Sequence, residues 1–207
     1  MIDRFVFYYL MLCWLAFALA FFLRKRPRRQ QRRKREPLSL LAMAFSGVGF
    51  AIVWGVRRPP FSPMFPSLGW SDALLAAVTM VIAGGSVCLV MWGVRTLGEH
   101  WSLAAQLIQD HRLVVEGPYA IVRHPIYAGM LGMMLATGLT MSSWEWVLLA
   151  MVIGWYGTHL RIRSEERLLR GAFGKQFDEY RARVPSLIPG LHWFASESHS
   201  DTHERVK

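Results

Sequence analysis

Residues 73–94 read ALLAAVTMVIAGGSVCLVMWGV, 22 residues without a charge. An α-helix rises about 1.5 Å per residue and the hydrocarbon core of a bilayer is about 30 Å thick, so about 20 such residues cross it. Two upstream runs have the same character: 5–23 and 38–56, each 19 residues long and uncharged. A fourth apolar stretch, 126–160, is broken at its middle by Met141-Ser142-Ser143-Trp144-Glu145. It reads as a tight helical hairpin of two short spans, which a bilayer accommodates by thinning or by packing against neighbours. The fold expected is all-α and integral to a membrane, with about five transmembrane helices.

Composition supports that class. The chain has 207 residues, 53% hydrophobic and 18% charged, with a net charge of +10. Average soluble domains carry about 25% charged residues, so apolar and basic residues here must be segregated along the chain. A disordered or collagen-like chain is excluded. Both cysteines, Cys13 and Cys88, lie inside apolar runs, which argues against a disulfide scaffold and against a Cys/His zinc site. No metal is expected.

Charge placement predicts orientation. Of the 24 Lys and Arg residues, 21 fall in 24–35, 95–125 and 161–207, and the others are Arg4, Arg57 and Arg58. Positive loops stay cytoplasmic, so the expectation is an N-terminus outside and a cytosolic C-terminal catalytic region. That means a multi-pass protein of the inner membrane in a bacterium, or of the endoplasmic reticulum in a eukaryote. The first run does not read as a cleaved signal, because its positive charges follow the apolar segment. The basic run RKRPRRQQRRKR at 24–35 has no interleaved aromatic residue. Base stacking has no platform there, so the run reads as a topological anchor touching anionic membrane lipids, with no nucleic-acid partner.

Three regions follow. Residues 1–94 hold three spans and the basic loop 24–36. Residues 95–193 hold the polar segments and the hairpin 126–160. Residues 194–207 form a polar tail read as disordered, with His199 and His203 solvated. Between spans two and three, 57–71 contains four prolines and reads as an outer loop.

The informative polar sequence lies at 95–127 and 161–189. These segments flank the hairpin, so its closure returns both to one membrane face. In HRLVVEGPYAIVRHPIYAG (111–129) a short β-like run at 112–115 precedes a Gly117-Pro118 turn. Pro125 suits the first turn of a helix, where its missing N–H costs nothing. Backbone N–H groups at that helix start favour an anion. The last span continues outward as YGTHLRIRSEER (156–167), placing Arg161 and Glu165 four apart on one helical face. On residue type alone these read as an interfacial ion pair, and His111 and His124 as packing or hydrogen-bonding residues. HExxH, GxSxG, Walker A and GxGxxG motifs are absent, which argues against zinc protease, hydrolase, P-loop and Rossmann chemistry.

The pieces HRLV (111–114), GPYAIVRHPIYAG (117–129), EERLL (165–169), FGKQFDEY (173–180) and RVPSLIP (183–189), in this order and spacing, resemble the isoprenylcysteine carboxyl methyltransferase family, part of a wider group that includes phospholipid N-methyltransferases. The resemblance runs from about Gln106 to Pro189. It implies an S-adenosylmethionine-dependent membrane methyltransferase without a Rossmann domain, whose lipidic methyl acceptor enters from the bilayer. It places Gln106, His111, Arg112, Leu113, Val114, Tyr119, His124, Pro125, Ile126, Tyr127 and Glu165 at cofactor-contacting positions. Arg161 falls where the family has a substrate-facing arginine. In this frame Glu165 offsets positive charge, His124 and the helix-start N–H groups hold the carboxylate of the methyl donor, and Tyr119 and Tyr127 form amphipathic walls. The competing readings are amine N-methylation of a phospholipid, a sterol-reductase-like NADPH enzyme, and a non-catalytic membrane protein.

Overall fold

The computed structural model describes residues 2–22, 37–59, 69–98 and 113–190. The apolar runs become helices: α1 (Ile2–Phe22), α2 (Pro37–Gly55) and α3 (Gly69–Leu97). After a 3₁₀ turn (Gly117–Ala120) come α4 (Pro125–Met141), α5 (Trp144–Phe173) and α6 (Lys175–Arg183). Among the described residues there is no strand. The part of the β-like run that is described, 113–115, stays irregular, because an extended segment needs a partner edge for its backbone hydrogen bonds.

Among the described residues two helices are long and apolar enough to cross a membrane, Asp3–Phe22 and Ala73–Leu97; Leu40–Gly55 and Pro125–Met141 are shorter apolar helices. Only 17% and 28% of the two long apolar windows are buried, unlike a helix at the centre of a soluble domain. Large apolar side chains point outward all along the bundle, among them Phe5, Leu12, Val81, Leu148 and Val152. An apolar exterior of this extent suits lipid.

α4 is the central helix, in contact with α1, α2, α3 and α5, while α2 lies along α5 and α3 along α4. Small residues permit the close approaches. A Cβ on Gly129 of α4 would sit 2.8 Å from Ser86 O of α3. One on Gly157 of α5 would sit 2.8 Å from Ala42 O of α2. Packing through small residues is the usual way helices associate where lipid removes the hydrophobic driving force. Leu10, Cys13, Ala83, Val87, Met133 and Ala136 form one buried cluster of the bundle, and Val53, Met134 and Ala150 another.

The α4–α5 corner falls at the break seen in the sequence. Ser142 donates to Val53 O (3.1 Å) and Val56 O (2.8 Å) at the end of α2. Arg58 covers the last carbonyls of α4, with Nη2 donating to Leu139 O (2.8 Å) and Thr140 O (2.9 Å) and its backbone N–H to Met141 O (2.9 Å). Those carbonyls have no partner within their own helix.

At the other end α5 runs on past the apolar bundle, spanning 30 residues in all, with Arg161 as the first cation of its polar extension. Gly174, at φ 49°, turns the chain back into α6, a conformation that costs glycine little. Leu113, Phe177 and Tyr180 form a small separate core there, with Leu169, Phe173 and Val184 packed against it. Tyr180 donates to Tyr119 O at 2.7 Å, and its burial raises the phenol pKa well above the ordinary value. This miniature core holds the 3₁₀ turn and α6 against the start of α4.

Candidate active site

The site forms where α4 begins and α5 leaves the bundle. Pro125 opens α4 at its first position, so the residues just before it, Arg123 and His124, keep non-helical backbone. Their N–H groups donate to Pro185 O (2.9 Å) and Ser186 O (3.0 Å). The segment after α6 therefore satisfies the donors that precede the helix, and these two amides serve the chain rather than a bound anion.

A cavity of about 320 Å³ opens beside this junction, near the lower end of the roughly 300–1,000 Å³ typical of small-molecule sites. Its polar side is Tyr119, Arg123, His124, Tyr127, Arg161 and Glu165. Its apolar side is Phe17 and Phe21 of α1, Leu97 of α3, and Pro125, Ile126 and Met130 of α4. Phe17 and Phe21 stand one helical turn apart with ring centroids at 5.2 Å. Phe17 also meets Trp14 edge-on at 5.4 Å, and Trp14 Nε1 donates to Thr137 Oγ1 at 3.0 Å, which fixes this aromatic wall to α4.

Across the polar side runs one chain of hydrogen bonds. Arg161 Nε donates to the Tyr127 hydroxyl at 2.7 Å, and that hydroxyl donates to Glu165 Oε2 at 2.8 Å. The Arg161 guanidinium also lies 5.3 Å from the centroid of the Tyr127 ring. His124 stacks on the other side of the junction, its ring 5.6 Å from Tyr127 and tilted by 18°.

Behind the cavity wall lies a second, buried cluster. Glu166 Oε1 accepts from Arg123 Nε (2.9 Å) and Nη2 (2.8 Å) and lies 3.1 Å from His124 Nε2. Arg181 Nε stands 3.7 Å from Glu166 Oε2. Arg123 Nη1 further donates to the carbonyls of Arg181 (3.1 Å) and Val184. Burial alone would raise the Glu166 pKa, but the hydrogen bonds and charges of His124 and Arg123 outweigh it and hold it at about 2.

The structure thus brings seven of the expected residues to the cavity: Tyr119, His124, Pro125, Ile126, Tyr127, Arg161 and Glu165. Leu113 instead packs with Phe177 and Tyr180, and Val114 is half-buried beside it. Gln106, His111 and Arg112 lie outside the described residues. Sequence reasoning missed Arg123 and Arg181 altogether, did not place Glu166 at the site, and did not single out Phe17 or Phe21. One signal for Glu166 was available. Successive helical residues project about 100° apart, so Glu165 and Glu166 cannot both face one cavity, and the second needs a partner elsewhere.

The chain is similar to known methyltransferases, and it spans less than two thirds of the length of the curated relatives described below. A family model described as phospholipid methyltransferase matches residues 74–176. The chain is 38% identical over 87 residues, 42% of its length, to a protein-S-isoprenylcysteine O-methyltransferase of Schizosaccharomyces pombe, and spans 37% of that protein. It is 33% identical over 114 residues, 54% of its length, to protein-S-isoprenylcysteine O-methyltransferase B of Arabidopsis thaliana, and spans 57% of that one. Its fold matches the solved structure of a eukaryotic intramembrane Ras methyltransferase, ICMT, with a TM-score of 0.61 at 23% identity, over 93% of this chain and 69% of the other.

Proposed function

Because the chain belongs to the isoprenylcysteine carboxyl methyltransferase family, we propose that it is an S-adenosylmethionine-dependent membrane enzyme that methylates the carboxylate of an isoprenylcysteine-like or other lipidic acid. The observation that carries this reading is the two-sided cavity. A connected polar chain, Arg161–Tyr127–Glu165, faces an apolar wall of Phe17, Phe21 and Met130. That division fits a small polar donor meeting the charged end of a molecule whose tail stays in lipid.

The side chains present suit the donor. A carboxylate, an imidazole and two tyrosines offer acceptors for its amino group and flat walls for its adenine. When bound, S-adenosylmethionine supplies an electrophilic methyl group. The protein's own task is to bind, orient and exclude water. A terminal carboxyl titrates near ~3.5, so the acceptor is already an anion at neutral pH and needs no base. An amine acceptor would need one. Glu166, with a pKa held at about 2, does not take up protons at neutral pH, and Glu165 already accepts from Tyr127. Arg161 presents a planar fork matched to a carboxylate, steadied at Nε by Tyr127. Alignment of this kind lowers barriers by roughly 7–11 kcal/mol in well-oriented reactions.

In the membrane the chain is read as five spans with the N-terminus outside. The site then lies at the cytosolic face, where α5 emerges and a lipidic acceptor reaches Arg161 from the bilayer. The test is incubation of the purified protein with methyl-labelled S-adenosylmethionine, a farnesylcysteine analogue and a membrane lipid extract, with the product identified by mass. A base-labile methyl ester is expected. Label confined to a lipid amine would overturn the carboxylate reading.

A further inference from the structure

At the other end of the bundle a cavity of about 540 Å³ opens between the start of α1, the segment after α2 and the end of α4. α4 runs 17 residues from Pro125 at the candidate active site to Met141 here, so about 24 Å of helix separates the two. The volume lies within the roughly 300–1,000 Å³ typical of small-molecule sites. Phe7, Pro59 and Met141 line it with apolar surface, and Asp3, Arg57 and Arg58 bring charge. Exposed Trp144 and Trp146 stand at the same end, at the start of α5, and such tryptophans mark the level of lipid headgroups.

Local tasks account for only part of these charges. Arg58 closes the end of α4 through Nη2, and its positive charge stays at the cavity wall. Arg57 donates from Nε to Trp54 O at 2.8 Å, and its guanidinium lies 5.8 Å from the centroid of the Trp54 ring. That grip orients the guanidinium and, among the described residues, uses neither Nη1 nor Nη2. Asp3 stands in the first turn of α1, where the helix dipole favours an anion. Among the described residues it makes no ion pair, although it shares the cavity with two arginines.

Two arginines alone would suit any anion. The carboxylate beside them repels a purely anionic group. The complement to both signs is a ligand that carries both: a phosphate for the planar fork of Arg57 and a primary ammonium for Asp3. The apolar walls and the headgroup level favour a lipid over a soluble zwitterion.

We propose that this cavity binds the headgroup of a zwitterionic phospholipid, with the phosphate on Arg57 beside the charge of Arg58 and the primary ammonium on Asp3. Such a lipid ties α1, α2 and α4 together at the end of the bundle away from the active site. At that distance it is not the methyl acceptor.

Native mass spectrometry of the purified, delipidated full-length protein in detergent tests this with three probes at equal concentration. Phosphatidylethanolamine has both groups. Phosphatidylcholine keeps the phosphate and the positive charge but has no N–H, and phosphatidylglycerol keeps the phosphate without a cation. The wild type should retain phosphatidylethanolamine about tenfold better than either of the others, as expected for one charge-assisted contact. Asp3→Asn should bring phosphatidylethanolamine and phosphatidylcholine within about threefold of each other. Arg57→Ala should weaken retention of phosphatidylethanolamine about tenfold. Equal retention of these two lipids by the wild type would overturn the zwitterion site, and so would an Asp3→Asn variant that keeps full discrimination. Displacement of the bound lipid by an equal concentration of glycerophosphoethanolamine, the same headgroup without tails, would overturn the lipid and put a soluble ligand in its place. Thermal midpoints without added lipid report whether each variant folds, and where one does not, the wild-type ratio decides.

Discussion

The bundle and the cap beyond it are held together by different physics. Where α3 meets α4 and α2 meets α5, glycines let backbones approach until a single methyl group would collide with a carbonyl of the next helix. Position there is set by volume. Where α5 leaves the bundle, position is set by charge: one buried carboxylate, Glu166, gathers Arg123, His124 and Arg181 from three parts of the chain. Volume errors relax by small shifts of neighbours, whereas a buried charge without its partner has no such escape. The cap should therefore be the more brittle region, and the groups proposed to bind donor and acceptor stand on it.

The sharpest way to break that contrast is Arg123→Ala. Glu166 would stay buried beside a weakened set of partners, and breaking one side of a buried pair typically costs about 3–5 kcal/mol. The expected result is a large fall in the thermal midpoint in detergent together with loss of donor binding. A variant as stable as wild type would show that Arg123 is not what holds the cap.

Acid should produce the next largest effect through the same carboxylate. The fold lowers the Glu166 pKa from 4.5 to about 2. The stability this contributes is complete above about pH 4.5 and is lost as the pH falls toward 2. The shift corresponds to about 3 kcal/mol. Glu166→Gln mimics the protonated acid, so it should be less stable than wild type at pH 7 and approach it near pH 2. A gap that stays constant over that range would mean the carboxylate's charge is not the stabilising element.

How far each region could be read from sequence follows the same division. The limits of α1, α2 and α3 lie within a few residues of the apolar runs, because crossing lipid demands an uninterrupted length. The hairpin corner was legible at Ser142-Ser143 and the start of α4 at Pro125, since serine and proline act on their own backbone. The Arg123–Glu166 pair joins residues 43 apart, and no periodicity announces such a partner. Phe17 and Phe21 were invisible for the opposite reason: inside an apolar run nothing distinguishes a cavity wall from a lipid-facing surface. The extended run at 112–115 failed to become a strand where it is described, since local β propensity needs a neighbouring edge.

Within the site, Arg161→Ala separates the acceptor side from the donor side. Arg161 precedes Glu165 by one helical turn on the same face of α5 and donates from Nε to the Tyr127 hydroxyl. Losing its charge-assisted contacts, worth about 1.5–3 kcal/mol, should lower turnover of a lipidic acid roughly ten- to hundredfold and change donor affinity far less. With a carboxylate acceptor, single-turnover rates should stay flat between about pH 6 and 8, because its pKa lies well below that window. A steep rise with pH, with Arg161→Ala behaving as wild type, would favour an amine acceptor instead.

The smallest expected effects come from the bundle, and a pair of glycine variants reads them against each other. Gly85 and Gly129 lie on the facing helices α3 and α4. A Cβ at Gly85 meets nothing within 4 Å, whereas one at Gly129 would lie 2.4 Å from Val90 Cγ2 and 2.8 Å from Ser86 O. Val90 can rotate, but Ser86 O belongs to the α3 backbone, so the helices must separate. Overpacking of this kind costs about 1–3 kcal/mol. At Gly85 alanine adds only helix propensity, a gain of up to about 1 kcal/mol. Gly129→Ala should therefore lower the thermal midpoint in detergent, and Gly85→Ala should leave it unchanged or raise it slightly. Donor binding should persist in both, because the cap is held by charges that neither substitution touches. Equal midpoints for the two variants would mean that α3 and α4 are not in the contact described. Loss of binding in Gly129→Ala without loss of stability would tie the charge-built cap to the volume-built bundle more tightly than their separate interactions imply.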